Sequence, residues 1–213
     1  MQLCLVTDRR RFASRDDLLD QIEAAARAGV DVIQVRENDL ATAELTSLVR
    51  DVLRRVGLTT AKVLVNDRVD VALAAGAHGV QLKEQSMRPY DVRRIAPAGF
   101  LIGCSVHSVA SATARKDADF LIAGTVRPTG SKPGVDTLDE VGLKAIVAAA
   151  APLPVLGIGG MDLRSIPLLA ASCAAGMAAV GAFIPETDED VTLGVQKRVT
   201  ALRFALESWR ART

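Results

Sequence analysis

Eight short runs of β-branched and aliphatic residues punctuate the chain, beginning near Leu3, Val32, Lys62, Gly79, Leu101, Phe120, Pro154 and Ala178, each bounded by Gly, Asp or Asn. Between most of them apolar residues recur at three-to-four spacing, which predicts helices over 16–28, 42–56, 108–116, 138–150, 163–174 and 190–210. Shorter connections, Val69–Ala75 and Pro89–Ile95, follow the third and fourth runs. The runs are nearly continuous in apolar character, so both faces of the sheet must be covered, as in parallel sheets. Eight is the number of such units that closes the sheet on itself. The reading is therefore an α/β fold, a single (βα)8 TIM barrel spanning residues 1–213. An open doubly wound sheet is the alternative.

Local punctuation agrees with this frame. Gly29 and Gly76 stand where a left-handed residue should end a helix, and Thr137 with Glu140 has capping-box spacing at a helix start. The stretches 28–35 and 75–82 share one plan of helix end, Gly, turn and buried strand, as two βα units should.

Composition narrows the function classes. Lys plus Arg number 26 against 25 Asp plus Glu, so no global field draws the protein to nucleic acid or anionic lipid. Aromatic residues are 3%, which leaves few platforms for stacking bases. The partners expected are small molecules, not nucleic acid or a membrane. Cys4, Cys104 and Cys173 lie outside any CxxC and read as small buried side chains in a reducing compartment. With only His78 and His107 available, a multi-histidine metal site cannot be built, so a divalent metal must use carboxylates. The uncharged stretch 165–185 is long enough to span a bilayer, yet it contains Pro167, Gly176, Gly181 and Pro185 and reads as a buried helix, turn and strand. The start of the chain places Asp8 and three arginines directly after its first apolar run, the reverse of a signal peptide, and a cytoplasmic location is expected.

In this barrel the chemistry sits at the carboxyl ends of the strands and in the loops just after them. That rule selects Gln34, Arg36, Glu37 and Asn38 after strand two, and Asn66, Asp67 and Arg68 after strand three. Gln81, Lys83, Glu84 and Ser86 follow strand four; Ser105, His107 and Ser108 follow strand five. His78 falls in a helix-to-strand turn on the opposite face, where a structural role is expected, whereas His107 lies at the mouth with an imidazole suited to proton exchange near neutrality. After strand six, the loop 124–134 carries Thr125, Arg127, Thr129, Ser131 and Lys132, hydroxyls and cations fit to enclose an anion. Gly159 and Gly160 after strand seven, with Gly181 and Ala182 after strand eight, fit the usual barrel phosphate site, where backbone N–H groups meet the oxygens. Asp67 is the candidate ligand for Mg²⁺, a hard cation that accompanies diphosphates; pairing with Arg36 or Arg68 is its structural alternative. The Arg9–Arg11 run reads as a solvated loop.

In order along the chain, Leu3–Arg9, Ile33-Gln-Val-Arg-Glu37, Val65-Asn-Asp-Arg68, Ile102–Ser108, Gly124–Gly134 and Pro154–Gly160 resemble the thiamine phosphate synthase and TenI family. The resemblance implies a barrel, often a homodimer, that binds a thiazole phosphate of thiamine biosynthesis. Synthases of the family couple that thiazole to hydroxymethylpyrimidine diphosphate with release of pyrophosphate, aided by Mg²⁺. TenI-type members aromatise a carboxythiazole phosphate tautomer. This sequence departs from the synthase pattern twice: Asn38 replaces the lysine of QxREK, and Ser86 replaces the second metal-ligand Asp of HxGQxD.

Those departures favour a TenI-like thiazole tautomerase that needs no cofactor. In that reading His107 is the catalytic residue that moves the proton, and Gly159, Gly160, Gly181 and Ala182 hold the phosphate. Arg36, Asn66, Ser105, Thr129, Ser131 and Lys132 meet the rest of the substrate, with Arg36 and Lys132 on its carboxylate. The alternatives are a thiamine phosphate synthase with Mg²⁺ on Asp67, in which Lys83 or Glu84 compensates for the substituted positions, and a non-catalytic barrel that binds a thiamine precursor.

Overall fold

Parallel pairing requires a crossover after every strand, and the helical stretches supply one each time. The computed structural model describes residues 2–129, 134, 136–186 and 188–210. Its strands are β1 (Gln2–Val6), β2 (Val32–Val35), β3 (Lys62–Asn66), β4 (Gly79–Leu82), β5 (Leu101–Val106), β6 (Phe120–Gly124), β7 (Val155–Ile158) and β8 (Gly176–Ala179). The helices are α1 (Arg15–Arg27), α2 (Thr42–Val56), α3 (Val69–Ala75), α4 (Pro89–Arg93), α5 (Val109–Ala114), α6 (Asp139–Ala150), α7 (Ile166–Ala171) and α8 (Val191–Arg210). Each strand pairs in parallel with the next, and β8 returns to β1, so the sheet is the closed eight-stranded barrel that the sequence predicts.

Closure sorts every strand residue inward or outward. Cys4, Val6, Val32, Leu64, Phe120, Ile122, Leu156 and Ala178 fill the barrel interior. Their neighbours Leu3, Leu5, Ile33, Val63, Val65 and Leu121 face outward against Leu18, Ile22, Leu48, Val52, Leu143 and Ile146 of the helices. Glycine matters where two backbones meet. A Cβ on Gly176 would land on the carbonyl oxygen of Gln2 across the β1–β8 seam, and one on Gly103 would land on the Phe120 ring and the Gln81 amide. β8 begins at Gly176, which pairs with Gln2 of β1, earlier than the Ala178 start expected from apolar character.

Helix ends follow local chemistry. The Ser14 hydroxyl accepts from the Asp17 N–H at 3.1 Å and the Asp17 carboxylate accepts from the Ser14 N–H at 3.0 Å, a reciprocal cap on α1. Gly29 and Gly76 adopt φ of +104° and +75°, the left-handed ends that the sequence predicts. Three expectations change. Thr137 does not cap α6: the helix starts at Asp139, whose own carboxylate accepts from the N–H groups of Val141 (2.8 Å) and Gly142 (3.1 Å). The Arg9–Arg11 run is a single 3-10 turn in which Arg9 and Arg10 pair with Asp39 at 2.6 and 3.2 Å. Cys173 is exposed, because it occupies a left-handed turn (φ +59°) after α7, whereas burial of Cys4 and Cys104 pushes both thiols up to about 12. Residues 165–185 divide between α7, β8 and a 3-10 turn, and among the described residues no helix is long and apolar enough to cross a membrane.

His78 lies at the amino end of β4, where its Nδ1 accepts from the Val63 N–H at 3.0 Å. Burial, with Lys62 adding repulsion, lowers its pKa below the ordinary histidine value. The unfolded chain therefore binds a proton on this ring that the folded chain resists, so stability falls as pH drops below about 6.5. The expected result is a urea midpoint that decreases between pH 7.5 and 5.5, with a smaller decrease in His78→Gln; equal decreases refute the assignment. For the seam, Gly176→Ala should destabilise the fold by about 1–3 kcal/mol, as overpacking does. Thermal melts should show a fall of roughly 2–4 °C per kcal/mol for a chain of this length.

Candidate active site

Toward the carboxyl ends of β2 to β5 the barrel interior turns polar. The residues are Gln34 on β2, Asn66 on β3, Gln81 on β4 and Ser105 on β5, with Gln34, Asn66 and Gln81 buried. Gln81 Nε2 donates to Ser105 Oγ at 3.2 Å, and Asn66 Nδ2 donates to Asn38 Oδ1 at 3.0 Å. Gln81 Oε1 is buried with no hydrogen-bond partner among the described residues, an acceptor that a ligand N–H can satisfy. At the first and second strand ends, Glu37 is 4% exposed, and its Oε1 accepts from the Thr7 hydroxyl at 2.6 Å and the Arg9 N–H at 3.1 Å. Burial raises its carboxyl pKa in spite of those donors. The Thr7 oxygen in turn accepts from the Arg36 N–H at 2.9 Å, which fixes the start of the loop that carries Arg36.

A cavity of about 1000 Å³ opens between the ends of β6, β7 and β8 and the start of α8, and reaches Asp8 and Arg36 beyond the ends of β1 and β2. Arg36, Thr129, Gly159, Gly160, Gly181 and Ala182 line it, which brings six of the expected site residues to one place. Gly159 and Gly160 hold φ of +100° and +62°, and their missing side chains let Thr125 and Pro128 pack against the turn. Gly181 opens the 3-10 turn Gly181–Phe183, whose first N–H groups have no acceptor within the turn. A Cβ at Gly181 meets nothing within 4 Å, so its side of the cavity is open space. These amides, with the Arg36 cation, are what a phosphate requires. At the far wall, Lys197 pairs with Glu189 at 3.0 Å, and Arg198 lies 3.6 Å from Glu186.

Asp67 is already engaged. Its Oδ2 is 2.8 Å from Lys83 Nζ, and its Oδ1 accepts from the Ser86 hydroxyl. Partial burial works to raise its pKa, but these two donors outweigh it and hold the carboxyl below the usual range. Neither Arg36 nor Arg68 is its partner; Arg68 pairs with Asp70. Among the described residues no group of three His, Cys, Asp or Glu side chains could hold a metal ion. The Mg²⁺ implied by the resemblance does not fit a carboxylate whose two oxygens are taken by an ammonium and a hydroxyl.

His107 stands at the end of β5, away from the residues lining the cavity. Its Nδ1 is 2.8 Å from Glu84 Oε2, and its backbone N–H donates to Ser111 Oγ at 3.1 Å. Hydrogen bonds from Ser111 and His107 keep the Glu84 carboxylate ionised below its ordinary range. The pair orients the ring and leaves Nε2 to face other partners. Ser131 and Lys132 lie outside the described residues. Glu37 and Gln81 are contributors that the expected site set leaves out, and Lys83 and Glu84 enter it only as compensating groups of the synthase alternative; their positions at strand ends are legible, but their partners are not.

The chain matches the model of a family described as thiamine monophosphate synthase over residues 3–183. It is 34% identical to a thiamine-phosphate synthase of Pyrococcus abyssi, covering 97% of this chain and 95% of that one. A thiamine-phosphate synthase of Methanoculleus marisnigri is 39% identical over 79% of this chain and 81% of its own. The solved structure of a thiamine phosphate pyrophosphorylase from Pyrococcus furiosus superposes with a TM-score of 0.82 at 30% identity, covering 98% and 96% of the two chains.

Because the space around Gly181 is open, Gly181→Val should leave stability within about 0.5 kcal/mol while placing a side chain where a phosphate would sit. Calorimetric titration with inorganic phosphate should show binding to the wild type and a loss of roughly tenfold or more in the variant. Equal affinities would remove Gly181 from the phosphate site.

Proposed function

Because the chain belongs to the thiamine monophosphate synthase and TenI family of thiamine-biosynthesis enzymes, we propose that it is a thiamine-phosphate synthase. It couples hydroxymethylpyrimidine diphosphate to a thiazole phosphate and releases pyrophosphate. The observation that carries this reading is the cavity of about 1000 Å³ joined to a glycine-lined phosphate cradle, which offers room for a second substrate beside the first. The names of the relatives support it, and the first expectation, the tautomerase, becomes the second reading. In the synthase reading the N–H groups of Gly159, Gly160, Gly181 and Ala182 hold the thiazole phosphate. Arg36 and Thr129 face the anionic groups, and Asn66, Gln81 and Ser105 present donors and acceptors to a heterocycle.

The second reading is favoured by a specific pair of contacts. Asp67 is tied to Lys83 and Ser86, and His107 is oriented by Glu84 at 2.8 Å, an arrangement that suits proton transfer on a bound ring. One reaction separates the two. Purified protein is incubated with Mg²⁺, hydroxymethylpyrimidine diphosphate and the non-aromatic carboxythiazole phosphate, and products are read by mass spectrometry and ultraviolet absorbance. The expected result is the coupled product with pyrophosphate released, and a His107→Asn variant that retains coupling. Aromatised thiazole alone, with a fall on the order of 10²–10⁴ in His107→Asn, overturns the synthase reading in favour of the tautomerase. No turnover of either compound refutes both.

A further inference from the structure

The ends of β3 and β4 form a small electrostatic unit that the proposed reaction does not use. The Ser86 N–H donates to the Lys83 carbonyl at 3.1 Å, closing a turn that brings both side chains onto one carboxylate. Asp67 itself is held in place, because its N–H donates to the Gln81 carbonyl at 2.9 Å and its backbone sits in the left-handed region at φ +63°. Lys83 Nζ lies 2.8 Å from Oδ2 and the Ser86 hydroxyl donates to Oδ1, so both oxygens have a donor. The carboxylate next to Lys83 in the sequence, Glu84, is bound to His107 instead, and Asp70 is paired with Arg68.

The charges are informative. A divalent ion on two carboxylates makes a cluster of no net charge. In the HxGQxD pattern that this sequence resembles, Lys83 takes the position of Gly and Ser86 that of Asp. One change adds a positive charge and the other removes a negative one, so Lys83, Asp67 and Ser86 together also sum to zero. The ammonium supplies the positive charge and a hydroxyl replaces the second carboxylate.

We propose that Lys83 is the resident cation of the barrel mouth: clamped on Asp67, it occupies the carboxylate and presents positive charge to an anionic, phosphorylated ligand without a divalent metal on Asp67. The nature of the ligand rests on the function proposed above; the exclusion of the metal does not.

Two measurements on the full chain test this, and neither requires turnover, so a failed coupling assay leaves both readable. In the first, Mn²⁺ is titrated in the absence of substrate and followed by electron paramagnetic resonance. Wild type and Asp67→Asn should leave the same free-ion signal, since Asn tolerates the left-handed backbone. Lys83→Gly/Ser86→Asp should take up one equivalent, which is lost again when Asp67→Asn is added. A wild type that binds one Mn²⁺ that Asp67→Asn does not bind overturns the proposal. So does a double variant that folds by circular dichroism and binds none. In the second, inorganic pyrophosphate is titrated calorimetrically with chelator present. Lys83→Gln should weaken binding by roughly tenfold or more, the scale of one lost bond to a charged group. Asp67→Asn, which frees the ammonium, should bind at least as tightly as wild type. A merely structural pair would weaken both variants alike, and that outcome, or an unchanged Lys83→Gln, refutes the role of the cation.

Discussion

The seam between β8 and β1 is the constraint on which the rest of the molecule depends. Hydrogen bonding there closes the sheet, and closure without strain depends on Gly176, which lets the Gln2 backbone approach where a Cβ would collide. Once closed, each strand has one inward and one outward set of residues, and a slip of one position would exchange them. On β2 and β3 polarity begins two residues beyond the apolar interior, at Gln34 after Val32 and at Asn66 after Leu64, whereas β1 and β6 stay apolar through Val6 and Ile122. Gln34, Asn66, Gln81 and Ser105 are the polar residues toward the carboxyl ends of β2 to β5, so on that side the floor of the mouth rests on the apolar packing below it.

The mouth divides into two electrostatic halves. Along β6, β7 and β8 the positive character comes from peptide groups, in turns that glycine alone can form without strain, and from Arg36. Along β3, β4 and β5 it comes from Lys83, a side chain already paired with Asp67, beside a His107 ring oriented by Glu84. The first half is built to receive charge and the second to hold charge in a set arrangement. Pairing by partly exposed groups contributes little to stability, so the arrangement of the second half is better understood as positioning.

The architecture was legible because its signals are local. Apolar runs, three-to-four spacing and the glycine ends at Gly29 and Gly76 depend on neighbours within a few residues, and those features match the structure. Misplaced details share a different cause. Thr137 has the right spacing for a cap, but Asp139 begins the helix and supplies its own carboxylate. Cys173 looks like any small apolar residue in an Ala-rich stretch, and only the left-handed turn puts it outside. For the site, strand-end logic located the glycine cradle and the polar tier. It did not reveal who pairs with whom, because Asp67 and Ser86 are 19 residues apart in the chain and Thr7 and Glu37 are 30 apart.

That limit bears on how departures from a motif are read. Position by position, Asn38 is a lost lysine and Ser86 a lost carboxylate, and each alone suggests a weakened anion site. In three dimensions the losses are coupled to gains. Asn38 accepts from Asn66 at 3.0 Å, which orders an amide in the polar tier, while the positive charge absent from the β2 end stands at the β4 end as Lys83, 2.8 Å from Asp67. A cation at the mouth does its work through the potential that it sets up there, and moving it from one strand end to another of the same mouth alters direction more than sign. The electrostatic requirement therefore belongs to the cluster as a whole. A substitution that removes one charge is informative only beside the contacts that replace it.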